Sequence, residues 1–197
     1  MRLRNLLAGM VLAVGCGCVL GCMLGGVHQS AIHANESLDE RSGISVAALR
    51  EPVELVQSEG LVVGKRPSFA YLGPVEWDRM GEVRYGLWLH VAPGSDKPVA
   101  DIHGPSAARV VLADGPWMLA PLADPPALGT PPYQTQVTWG QAGYFQLDVA
   151  LLKRLAANRI LSLDLLGVDG SVVHFTTSAD TRPTFAAYLE SLQVTAD

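Results

Sequence analysis

Cysteine is almost missing from this 197-residue chain: it has three, Cys16, Cys18 and Cys22, all within the first 22 positions. Beyond them no disulfide can form and no thiolate can act as nucleophile or metal ligand, so residues 23–197 must hold together by packing and hydrogen bonding. Charge is equally scarce at the start, where Arg2 and Arg4 are the only formally charged residues before Glu36. Basic residues are few later on. With those two set aside, 12 Lys and Arg face 19 Asp and Glu, a net charge of −7. That balance repels phosphate backbones and anionic lipid, which excludes nucleic acid as a partner and electrostatic adhesion to membranes. The common catalytic fingerprints, G-x-S-x-G, the P-loop, H-E-x-x-H and G-x-G-x-x-G, do not occur. Since triads assemble from scattered residues, this removes the familiar signatures rather than catalysis as such.

The N-terminus does contain a basic start and then 22 uncharged, mostly apolar or glycine positions, residues 6–27. The basic end stays cytoplasmic and the chain beyond the apolar run is exported. The stretch Val19-Leu20-Gly21-Cys22 ends the apolar run with small residues before a thiol, and it resembles the lipobox of bacterial lipoproteins. The resemblance is confined to this segment, about a tenth of the chain. It implies cleavage before Cys22, a diacylglycerol and palmitate anchor on that residue, and a place in the cell envelope. With Met23 rather than Asp after the cysteine, it implies the outer membrane facing the periplasm in a Gram-negative cell. Val19 replaces the commoner Leu, and Met23-Leu24 is apolar. The alternative stays open: residues 6–27 are long enough to span a bilayer uncleaved, and Gly17, Gly21 and Gly25 would make a close-packing helix face.

Residues 23–52 are expected to be a flexible tether, polar and without sustained apolar periodicity beyond residue 27, with room for a short helix near residues 45–50. His28 and His33 lie within it without the further ligands a metal site needs. Residues 53–197 are the size of one domain with one core.

The dominant signal there is alternation with period two, broken by Gly and Pro. Residues 83–91 are the clearest strand, with Val83, Tyr85, Leu87, Leu89 and Val91 on one face and Arg84, Trp88 and His90 on the other. Further strands are predicted at 67–72, 99–103, 108–113, 117–122, 133–139, 144–147, 160–166 and 171–177. Asp114-Gly115 and Asp169-Gly170 predict tight hairpin turns, because Asp-Gly tolerates positive φ. Asp148 is placed to cap a helix carrying Val149, Leu152, Leu155 and Ala156. A second helix begins near Thr181, with Pro183 in its first turn and Phe185, Leu189 and Leu192 as its stripe. The expected fold is mainly β: an antiparallel sandwich or partly open barrel with two short covering helices. Residues 124–132, with four prolines and a glycine, form an irregular loop, either a sheet connection or the rim of a site.

The candidate ligand surface is Arg84, Trp88, His90, Asp101 and His103. Pairing Leu89 with Ile102 would set His90 opposite Asp101 and Trp88 opposite His103 on one half-exposed face. Such a face suits a metal held by His90, Asp101 and His103, or a sugar stacked on Trp88, and it equally suits ordinary cross-strand pairing, the reading that carries more weight. Glu76-Trp77-Asp78-Arg79 reads as a solvated turn with Trp77 tucked inward, and His174 as a packing residue. Together these observations predict an exported, membrane-tethered domain that binds or scaffolds rather than catalyses, with no cofactor. Its partners are the membrane, through its lipid or anchor, and an envelope protein. A small-ligand or glycan binder and a dispersed hydrolase or metal site around His90, Asp101 and His103 are the alternatives.

Overall fold

The computed structural model describes residues 35–58, 66–94, 102, 107–167 and 169–194. The signal segment, Cys22 and residues 23–34 of the expected tether lie outside them, as do Asp101, His103 and most of the predicted strand 99–103. In chain order the elements are β1 (Asn35–Asp39), β2 (Ile44–Ala48), β3 (Val53–Gln57), β4 (Phe69–Arg79), β5 (Glu82–Ala92), β6 (Ala108–Leu112), β7 (Gly115–Met118) and β8 (Gln141–Gln146). Next come α1 (Val149–Ala157), β9 (Ser162–Leu166), β10 (Val172–Thr176) and α2 (Arg182–Val194). The fold is mainly β and antiparallel, with two helices, as the alternation predicts. No helix among the described residues is long and apolar enough to cross a membrane.

The sheet is organised by the long hairpin β4–β5, paired from Phe69↔Ala92 to Arg79↔Glu82. The other edge of β4 is shared: β3 covers residues 69–72 and β2 covers residues 75–78. Between those stretches stand Gly73 and Pro74, and Pro74 has no amide to donate to a ladder. From β3 the sheet continues through β10, β9, β6 and β7, from β2 to β1, and from β5 to β8. Among the described strands it does not close into a barrel.

Register divides the side chains, since directly opposed residues share a face. On one face lie Leu55, Leu72, Leu87, Leu89, Leu163, Leu165 and Phe175, all fully buried. They form one core with Leu151, Leu152 and Leu155 of α1 and Phe185 and Tyr188 of α2. Each such side chain contributes about 1.5–3 kcal/mol of burial. Asp148 caps α1 by accepting the Leu151 amide at 2.6 Å, and the Thr181 hydroxyl donates to the Asn158 carbonyl at 3.0 Å, tying the start of α2 to the end of α1. The two Asp-Gly turns form as expected, with Gly115 at φ +121° and Gly170 at φ +81° joining β6 to β7 and β9 to β10.

The expected tether is corrected. Residues 35–48 are a hairpin within the sheet, and β2 replaces the expected short helix. Ile44, Val46 and Ala48 alternate inward, but three positions are too short a pattern to stand out until β4 pairs with them. The predicted turn at residues 76–79 is instead strand. The chain reverses one step later, at Met80-Gly81, where both residues have positive φ, the requirement of a tight hairpin turn. Residues 133–139, predicted as a strand, enter no ladder and lie across the opposite face of the central hairpin, where Tyr133 packs against Gly73 and Trp88.

Candidate functional site

A cleft of about 560 Å³ opens at the outer end of the central hairpin. It forms because β4 and β5 place Trp77 opposite Arg84 and Arg79 opposite Glu82 on the same face. The β1–β2 turn adds Arg41, Ser42 and Ile44, and the proline-rich loop supplies Asp124, Pro125, Pro126, Ala127 and Leu128 as the facing wall. Asp39 holds that wall in place. Its carboxylate accepts the Gly129 amide at 3.0 Å and the Ser42 amide at 3.0 Å, and it also accepts the Ser42 hydroxyl. The Ser42 hydroxyl, with these amides as smaller contributors, lowers the Asp39 pKa below its usual value.

The floor of the cleft is Ile44 and Trp77, both buried, and its rim is charged. Arg84 is engaged twice, by Glu82 at 2.7 Å and Asp124 at 3.6 Å. Arg41 and Arg79 form no ion pair among the described residues. A second hollow of about 490 Å³ lies between the β1–β2 hairpin and residues 129–132. The proline-rich loop, in the connection from β7 to β8, thus forms one wall of the cleft.

Among the described residues of the sequence-predicted surface, Arg84 alone lines this cleft. Trp88 and His90 sit on the expected face, but that face is covered: Trp88 is 2% and His90 6% exposed. They belong to a file of rings in which Phe69 stacks on Tyr71 at 6.5 Å, Tyr71 on His90 at 5.9 Å, His90 on Trp88 at 5.7 Å, and Trp88 meets Tyr133 at 5.3 Å. Burial lowers the His90 pKa against a smaller opposing effect of the Trp139 carbonyl, which favours the neutral ring, and its Nδ1 has no partner among the described residues. Asp101 and His103 lie outside the described residues. The register proposed for them does not form at Leu89, whose two lateral partners are Leu72 in β4 and Gly143 in β8. With both edges of β5 occupied, no ladder position is left for Ile102.

One polar constellation is not visible in the sequence pattern. Asp164 in β9, 3% exposed, lies opposite Arg109 in β6 and His174 in β10. Its carboxylate receives Arg109 Nε at 2.8 Å and meets His174 Nδ1 at 2.7 Å. The three side chains form a row across three neighbouring strands. Ser58, beyond β3, donates to the His174 backbone carbonyl at 3.3 Å. The available signal was Asp164 itself, a lone carboxylate flanked by Leu163 and Leu165 in an otherwise apolar strand, which demands a cationic partner. No group of three His, Cys, Asp or Glu among the described residues is placed to hold a metal ion.

The chain matches no protein-family model, no curated protein and no solved structure. Its functional reading rests on this geometry.

Proposed function

We propose that this protein is an exported, membrane-tethered envelope lipoprotein whose β domain is a non-catalytic binding module, with the Trp77–Arg84 cleft as its binding site. The observation that carries the reading is the cleft: a concave volume of small-ligand size, walled by three separate segments and fixed by the Asp39–Gly129 hydrogen bond. The Val19-Leu20-Gly21-Cys22 segment supports the tether. Mass spectrometry of the membrane form is expected to find a lipidated N-terminus at Cys22, whereas an intact Met1 would establish an uncleaved anchor instead. For the binding role, the full-length chain in lipid nanodiscs is titrated with a library of small acids, sugars and short peptides while backbone NMR shifts are monitored. Perturbations should gather at Arg41, Trp77, Arg79 and Leu128.

One observation favours a second reading, a hydrolytic site: buried Asp164 orients the ring of half-exposed His174, the arrangement a general base needs. Perturbations centred on His174, with ester hydrolysis lost in His174→Gln, would replace the binding reading with this one.

A further inference from the structure

We propose that the cleft takes an anionic ligand with an apolar body, a carboxylate or phosphate joined to an alkyl or aryl portion; this rests on the reading of the cleft as the binding site. Arg41, Arg79 and Arg84 line it together with Glu82 and Asp124. Both carboxylates are drawn to the same cation, because Arg84 meets Glu82 at 2.7 Å and Asp124 at 3.6 Å. The guanidiniums of Arg41 and Arg79 are left without a counter-ion among the described residues. A guanidinium offers donors in a flat fork that matches the paired oxygens of a carboxylate or phosphate. The unmet bonding capacity of the cleft is thus cationic, and it belongs to the residue type best suited to oxyanions.

The apolar half of the ligand is set by the surfaces between the arginines. Trp77 and Ile44 form the floor, and Pro125, Pro126 and Leu128 the wall. A small inorganic anion would leave these surfaces wet, whereas an alkyl or aryl body would cover them and gain burial energy in proportion to the area covered. The chain as a whole is acidic, with a formal net charge of −5. Long-range steering therefore works against an anion, and attraction must come from direct contact inside the cleft.

The test is calorimetric titration of the full-length chain in lipid nanodiscs with three matched probes, 4-phenylbutyrate, 4-phenylbutyl phosphate and neutral 4-phenylbutanol. Both anions should bind, and the alcohol about ten-fold more weakly or worse, the scale of losing a charged hydrogen bond. Arg41→Gln and Arg79→Gln should each weaken the anions about ten-fold and leave the alcohol unchanged, and the tighter of the two anions identifies the preferred head group. Leu128→Trp, which fills the cleft, should abolish all binding. The alcohol binding as tightly as the acid, or anion affinity untouched by the arginine substitutions, would overturn the anionic class while the cleft remains a site. Binding that survives Leu128→Trp would place the ligand elsewhere and bring down the cleft reading as well. No measurable binding of either anion would also overturn the proposal.

Discussion

Asp39 and Gly129, separated by 90 residues, are joined by a hydrogen bond of 3.0 Å from the Gly129 amide to the Asp39 carboxylate. That carboxylate also closes the β1–β2 turn through Ser42. One side chain therefore sets both a hairpin and the facing wall of the cleft, and Asp39→Ala, which removes the acceptor, should loosen the loop without unfolding the domain. Hydrogen exchange at Gly129 should accelerate about ten-fold or more. The contact also has a pH sign. Because the folded pKa of Asp39 is lowered, the interaction is fully present above the ordinary carboxylate value near 3.8 and is lost as pH falls through the lower folded value. Protection at Gly129 that is unchanged in Asp39→Ala would refute the pinning role.

Gly73 is required for space. A Cβ built there would lie 2.5 Å from the Tyr133 ring, and the Tyr133 hydroxyl donates to the Pro74 carbonyl next to it. Gly73→Ala is expected to cost about 1–3 kcal/mol through overpacking, and Tyr133→Phe about 1 kcal/mol through the lost hydrogen bond. Urea unfolding of Gly73→Ala, Tyr133→Phe, Tyr133→Ala and the double variant Gly73→Ala with Tyr133→Ala gives the check: measured against Tyr133→Ala alone, most of the Gly73→Ala penalty should disappear.

Arg109→Gln should be the costly change, because it leaves the carboxylate of Asp164, 5% exposed, without its guanidinium, with an expected loss of about 2–3 kcal/mol. Arg109 itself is more than one-third exposed and can be hydrated, so adding Asp164→Asn, which removes the buried charge, should recover part of that loss. A double variant no more stable than Arg109→Gln alone, measured by denaturant midpoints, would mean that the buried charge does not act as described.

His90 is buried between Tyr71 and Trp88 with its pKa lowered. The unfolded ring takes up a proton below about 6.5, whereas the folded ring resists until a lower pH. His90 therefore supports the fold fully above 6.5, and that support is lost as pH falls toward the folded value. His90→Phe keeps the ring and removes the titration. The fall in stability between pH 7.5 and pH 5 should be smaller in this variant than in the wild type, as read from thermal midpoints at matched ionic strength.

Local signals in the sequence translated well into structure. The Asp-Gly turns at 114–115 and 169–170, the Asp148 cap, both helices and the strand over residues 83–91 each depend on a few neighbouring residues, and each formed as an element. Val149, expected in the stripe of α1, is nevertheless exposed while Leu151 is buried, and Val83 and Tyr85, expected on the buried face of β5, are exposed. The errors arose where a pattern was short or where its partner was distant in the chain. β2 has three inward positions and looked like tether. Residues 133–139 carry apolar alternation but pack as irregular cover on Trp88 and Tyr71.

The candidate site shows the same division. Alternation placed Arg84, Trp88 and His90 on one face, and the structure keeps them there. Whether that face meets solvent depends on the segment folded over it, and Tyr133, some 45 residues downstream of Trp88, decides that Trp88 is core while Arg84 remains at the rim. Arg109, Asp164 and His174 become neighbours only because β9 lies between β6 and β10, a pairing order that local preference does not encode. By itself the sequence determined the antiparallel β class, the two Asp-Gly turns and the Asp148 cap, because φ preferences and side-chain periodicity act over a few residues. Strand order, the cover on the His90 face, the charged row through Asp164 and the cleft between Arg79 and Leu128 were decided by the tertiary structure, since each joins residues whose encounter depends on how the whole core closes.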